Sequence, residues 1–194
     1  MLKSLFNEKK AAQSAAYFLF RAGGSLSVLK LTKLLYLAER RSFEKFSEPM
    51  IGDQLVSMPH GPVLSRTYNH MNGELNCVNG GWEHWIADRA NHDVALRDPE
   101  SFHSPEEDLL ELSEADLEVL REIWDQFGKM SAWQLREYSH RNCPERKDPD
   151  GSMIPIRFAD LFDALNFTPE QKREALSRLT AQNEIGAAFA SSRP

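Results

Sequence analysis

A chain of 194 residues, 41% hydrophobic and 27% charged, has the balance of an ordinary globular protein. It is long enough to bury about 70% of its unfolded surface in one core. Its formal net charge of −6 argues against a protein built mainly to hold nucleic acid, since phosphate binding needs a dominant basic surface. Its two cysteines are too few for the disulfide framework of a small secreted scaffold. No apolar run reaches the roughly 18 residues of a membrane span. The N-terminal stretch is interrupted by Gln13, Ser14 and Arg21 and lacks the h-region of a secretion signal, so a reducing cytoplasm is the expected compartment.

In chain order, a first helix is expected over residues 7–22, capped by Asn7 and stopped by Gly23-Gly24. Ala12, Ala15, Ala16, Leu19 and Phe20 form its inner stripe. A second helix follows Ser27 as N-cap, with Leu31, Leu34, Leu35 and Ala38 inward. Lys30, Lys33, Glu39, Arg40 and Arg41 cover the rest, and Pro49 forbids continuation. Residues 54–58 fit a short strand. Pro62 suits the first turn of a third helix that ends near Asn72, before Gly73. Trp85 and Ala87 are expected to oppose Val94 and Leu96 in an antiparallel hairpin. Residues 98–112, acidic and holding Pro99 and Pro105, read as an exposed connector.

Ser113, with Glu114 and Asp116 in the first turn, starts a helix whose inner face is Leu117, Leu120, Ile123, Trp124 and Phe127. Ser131 and Gln134 form a capping box for the next helix, which turns Leu135 and Tyr138 inward. A loop over residues 144–155 and a short helix over 157–165 follow. The last helix starts at Thr168, with Gln171 closing its box, and is expected to end near Gln182. The fold expected is mainly α (α+β): a compact helical domain of about six helices with a small antiparallel β-hairpin. One domain is expected over residues 1–185, and residues 186–194 read as a disordered tail.

The chain has no phosphate loop, no dinucleotide glycine fingerprint and no nucleophile elbow. His140 and Cys143 have a His-x-x-Cys spacing, but only Cys77 and the scattered His60, His70, His84, His92 and His103 remain to complete a four-ligand zinc set. No metal, no cofactor and no nucleophile–base–orienter arrangement is therefore expected, and the chain reads as a non-enzyme. His140 is expected near its helix C-terminus as an imidazolium donating to a loop carbonyl. His60 reads either as a turn residue or as a contact for an acidic partner group. Residues 1–45 hold nine Lys/Arg against three Asp/Glu, a net of +6, while residues 98–125 hold eleven Asp/Glu against Arg121, a net of −10. That asymmetry fits a solvated acidic face, or a polarised molecule that steers a charged partner.

The run Lys33-Leu34-Leu35-Tyr36, the Gly52-preceded strand, His60-Gly61-Pro62-Val63, the downstream helix pair ending in Ser139-His140, and the Pro144 loop together resemble the SocA-like Panacea domain family of bacterial and phage antitoxins. The resemblance is strongest over residues 27–165. One departure is that the family often has Trp in the loop after Pro144, where this chain has Glu145 and Arg146. The resemblance implies an antitoxin that binds and neutralises a cognate protein toxin, either covering the toxin's active site or locking it in an inactive conformation. A proteolysis adaptor that delivers a bound protein to a protease, and a DNA-binding regulator, are the alternatives. The toxin-binding surface it suggests comprises Lys33, Tyr36, Arg40, His60, Gly61, Pro62, Tyr68, His140 and Arg146. Lys33 and Arg40 are expected to be exposed there, and neither nucleic acid nor membrane is an expected partner.

Overall fold

The computed structural model describes residues 5–87 and 90–191. Nine helices and five short strands are defined among them. In chain order these are α1 (Glu8–Arg21), β1 (Ser25–Ser27), α2 (Val28–Phe46), β2 (Leu55–Met58), β3 (Gly61–Leu64), α3 (Ser65–Met71), α4 (Trp82–Trp85) and β4 (Asp93–Ala95). They continue as α5 (Pro105–Asp108), α6 (Glu114–Phe127), α7 (Ala132–Asn142), β5 (Ile154–Pro155), α8 (Phe158–Ala164) and α9 (Pro169–Ser191). Two helices that the hydrophobic pattern did not suggest, α4 and α5, are single turns of four residues. They are too short for a 3.6-residue period to show in sequence.

Local chemistry sets the helix starts. Asn7, Ser27 and Ser113 each accept a backbone N–H three residues on, and Ser131–Gln134 and Thr168–Gln171 form reciprocal capping boxes. The core is built around α2, which packs against α1, α6, α7 and β3. Leu31, Leu34, Leu35 and Ala38 are fully buried on it, as is Leu120 of α6, while Trp124 is only partly buried against the same core.

The structure has a hairpin that the sequence reading did not expect. Gly61–Leu64, expected as a helix start, is a strand paired antiparallel to Leu55–Met58 through the two-residue turn Pro59–His60. Pro62 is tolerated because β3 is the edge of a three-stranded sheet ordered β3-β2-β5, where no second neighbour asks for its missing N–H. In the region expected to form the hairpin, Trp82–Trp85 is helical, but the expected pairing is present in part. Antiparallel bridges join Ile86 to Leu96 and Ala90 to Asp93, and the Ala87 and Arg97 N–H groups donate to the Ala95 and Trp85 carbonyls. The strand there, β4, pairs on its other edge with β1. Residues 88–89 of the expected first strand lie outside the described residues.

Residues 98–112 are not simply an exposed connector, because Phe102, Pro105, Leu109 and Leu112 are buried. The last helix runs on to Ser191 where a disordered tail was expected. Ala187, Ala188 and Ala190 are strong helix formers, and a single Gly186 is not enough to stop them. Residues 192–194 lie outside the described residues. No helix among the described residues is long and apolar enough to cross a membrane.

Candidate functional site

The residues singled out from sequence gather where the β2–β3 hairpin lies across α2 and α7. Gly61 makes the approach possible. It has φ +94°, and a Cβ there would stand 2.7 Å from Ser139 Oγ and 3.2 Å from the His140 ring. Lys33 reaches up from α2 and donates from Nζ to the Pro62 carbonyl at 2.7 Å. This lysine is not exposed: it is 1% accessible, and its residence in the core pulls its amine down to about 7, with the nearby Arg146 and Arg136 guanidiniums adding to the effect.

Nearly one turn further along α2, Tyr36 is fully buried and donates its hydroxyl to Glu145 Oε1 at 2.7 Å. Arg40 Nε donates to the same oxygen at 2.9 Å. Arg40 is therefore half-buried and paired rather than free, since its side chain is 18% exposed and that of Glu145 is fully enclosed. Burial, and after it the Glu145 charge, pushes the Tyr36 hydroxyl well above its usual range. Cys143 beside them is held as a neutral thiol, pushed up to about 12 by burial and by Glu145.

A cavity of about 430 Å³ opens between these elements, lined by Thr32, Lys33, His60, Gly61, Tyr68 and Trp133 among others. His60, exposed at the hairpin tip, lies edge-to-face with the Trp133 ring at 6.1 Å, and the Arg136 guanidinium lies over the same indole, 5.7 Å from its centroid. Trp133 is 62% exposed, uncommon for so large an apolar ring. His140 does not become the expected imidazolium. Partial burial, with Arg146 and Arg136 nearby, lowers its affinity for a proton.

Three buried nitrogens around this cluster have no hydrogen-bond partner: Arg136 Nε, His140 Nε2 and Arg146 Nε. Each guanidinium has an outer ion contact, Arg136 with Glu137 and Arg146 with Asp148 at 3.8 Å, but neither contact reaches the inner nitrogen. Sequence reasoning named Lys33, His60, Gly61 and Tyr68, which line one cavity, and Tyr36 and Arg40, which share one buried carboxylate. It missed Trp133, Arg136 and Glu145. Trp133 had a legible signal, since it falls off the Leu135/Tyr138 stripe of its helix. Glu145 was visible only as a departure from the family's usual Trp.

The assembled residues thus form an open, mostly apolar cavity beside an exposed indole, with the Arg136 guanidinium over that indole. The family model described as antitoxin SocA-like, Panacea domain, matches residues 31–145, and the chain belongs to that family. The match begins inside α2 and ends at Glu145, the residue that ties Tyr36 and Arg40 to the loop after α7. No curated protein and no solved structure matches the chain.

Proposed function

We propose that this chain is an antitoxin that binds a cognate protein toxin directly and neutralises it without chemistry of its own, using the hairpin–α7 surface. Membership of an antitoxin family supports the role, and the three unpartnered nitrogens of Arg136, His140 and Arg146 carry the choice of surface. The Arg136 and Arg146 Nε–H groups are buried donors left without acceptors, which cost about 1–3 kcal/mol each, and an acidic side chain of a partner entering beside them offers both an acceptor. His60, Trp133 and Tyr68 are amphipathic rings at the mouth, the type enriched at binding hot spots. Lys33, Tyr36, Arg40, Gly61 and Pro62 hold that mouth in shape from below.

The test is co-expression with the toxic product of the neighbouring reading frame, followed by co-purification. The wild-type chain rescues growth and retains the toxin. Trp133→Ala and Arg146→Ala weaken retention at unchanged melting temperature. Full rescue with unchanged affinity in both variants would place the interface elsewhere, and failure of the wild type to rescue would remove the antitoxin reading itself.

A further inference from the structure

A second cluster of donor side chains plays no part in the surface just described. Glu8 opens α1, His70 lies in the last turn of α3, and Cys77 follows in the connection to α4. Among the described residues this is the one set of at least three His, Cys, Asp or Glu side chains whose ligand atoms all lie within 4.8 Å of one another.

Its geometry is held from every side. The His70 ring is buried and stacked between Phe6, at 6.0 Å and 14°, and Trp82, at 5.9 Å and 22°. Its Nδ1 stands 3.6 Å from Cys77 Sγ, and its Nε2 stands 3.7 Å from Glu8 Oε2. The Glu8 carboxylate is fixed by the backbone N–H groups of Val78 and Trp82, each at 3.0 Å. Glu83 presents both its carboxylate and its backbone N–H to the Cys77 thiol. His70, Cys77 and Glu83 line a cavity of about 360 Å³ that gives solutes a way in.

A thiol, an imidazole and a carboxylate in this order also resemble a cysteine nucleophile with its base and orienter. The electrostatics oppose that use. Burial and the surrounding carboxylates keep the Cys77 thiol protonated, and burial keeps His70 neutral, so no thiolate–imidazolium pair forms. Three carboxylates, Glu8, Asp53 and Glu83, act on His70 against the single guanidinium of Arg66, so the surroundings are acidic on balance. A tetrahedral zinc ion, with bonds of about 2.3 Å to sulfur and about 2.0 Å to nitrogen, separates those two ligand atoms by roughly 3.6 Å, matching the spacing found between Cys77 and His70. Glu8 on the far ring nitrogen is the carboxylate–histidine arrangement that aims the other nitrogen at a metal.

We propose that His70 Nδ1 and Cys77 Sγ, with Glu83 beside the thiol and Glu8 orienting the ring, bind one divalent transition-metal ion of the zinc type. On binding, the thiol proton leaves to solvent and the ion takes its place on sulfur. No electron is transferred, and His70 enters as the neutral ligand it already is. The soft sulfur and imidazole donors favour zinc over magnesium or calcium.

Cobalt(II) is the probe, because its sulfur-to-metal charge-transfer band in the near ultraviolet reports thiolate ligation. Titrating cobalt into the metal-stripped full chain yields that band, saturating at one ion per chain, and zinc displaces it. Cys77→Ser abolishes the band and weakens zinc binding by roughly tenfold or more, with the helical circular dichroism unchanged. Cys143→Ser leaves both intact. Absence of the band in the wild type, or its loss in Cys143→Ser with survival in Cys77→Ser, overturns the assignment. The wild-type titration decides even if a variant fails to fold, and toxin neutralisation stands or falls separately.

Discussion

Replacing Lys33 with Met tests the buried amine beneath the hairpin. Met keeps most of the volume of the lysine stem and removes the ammonium, at the cost of the bond to the Pro62 carbonyl. The amine has an ordinary value of 10.5, and the fold lowers it to about 7. Between those values the unfolded chain holds the proton and the folded chain does not. Stability from this group is therefore fully present above about pH 10.5 and is lost as the pH falls through 7. Between pH 7 and about pH 9.5 the wild type should gain on the order of 3 kcal/mol from Lys33. Glu39 acts on the other side of neutrality. Burial raises its carboxyl to about 7 against the pull of the Met50, Ile51 and Gly52 N–H groups. Its contribution is present below about pH 4.5 and is lost as the pH rises through 7. The assay is urea unfolding of wild type and Lys33→Met at both pH values, taking the difference of differences so that all other titrations cancel. A gap below about 0.5 kcal/mol would refute the burial of Lys33 against Pro62.

Leu35→Ala should cost about 2–5 kcal/mol in chemical denaturation, because Leu35 is fully buried at the centre of α2. Tyr36→Phe keeps the ring but leaves Glu145 with Arg40 as its remaining partner, and a loss of about 1–3 kcal/mol is expected by the same measurement. Gly61→Ala brings a methyl group to 2.7 Å from Ser139 Oγ at a positive φ, so it should lower the melting temperature and weaken toxin retention together.

The helices with caps and periodic apolar faces were legible to within a residue or two at their starts. Asn7, Ser27, Ser113, Ser131 and Thr168 all cap as the sequence suggests, because a cap is decided by residues three apart. Partnership in the sheet is decided by residues far apart, and there the reading failed. Pro62 satisfies the rule for a first helical turn and equally the rule for an edge strand, and only its pairing with Ser57 chooses between them. The polar stripe of α2 misled for a related reason. Lys33 and Glu39 look solvent-facing by period, yet both are buried because the hairpin and the Met50–Gly52 segment close over that side of the helix. A long-range lid leaves no trace in a window of eighteen residues.

The charge asymmetry has a similar explanation, and it bears on where a partner can act. The basic N-terminal region and the acidic 98–125 region are each other's partners. Lys9 pairs with Glu111, Lys10 with Asp116, Arg21 with Asp125, and Lys45 with both Glu118 and Glu122. Most of these pairs are exposed and add little stability individually, but they cancel the two fields where they lie. A steering field spread over the whole molecule, the sharper of the two sequence-based readings, is thereby weakened at its source. The cations that remain without close compensation at their inner nitrogens are Arg136 and Arg146, which surround His140 and Lys33 beside the hairpin. On the proposed surface, charge recognition would rest on short-range contact with these two guanidiniums, whose desolvated nitrogens are barely screened by salt. Toxin affinity should accordingly change less between low and physiological salt than it does on losing Arg146, as a calorimetric titration of wild type and Arg146→Ala at two ionic strengths would show. A wild-type affinity that collapses with salt would return the interface to the exposed charges of α1 and α6.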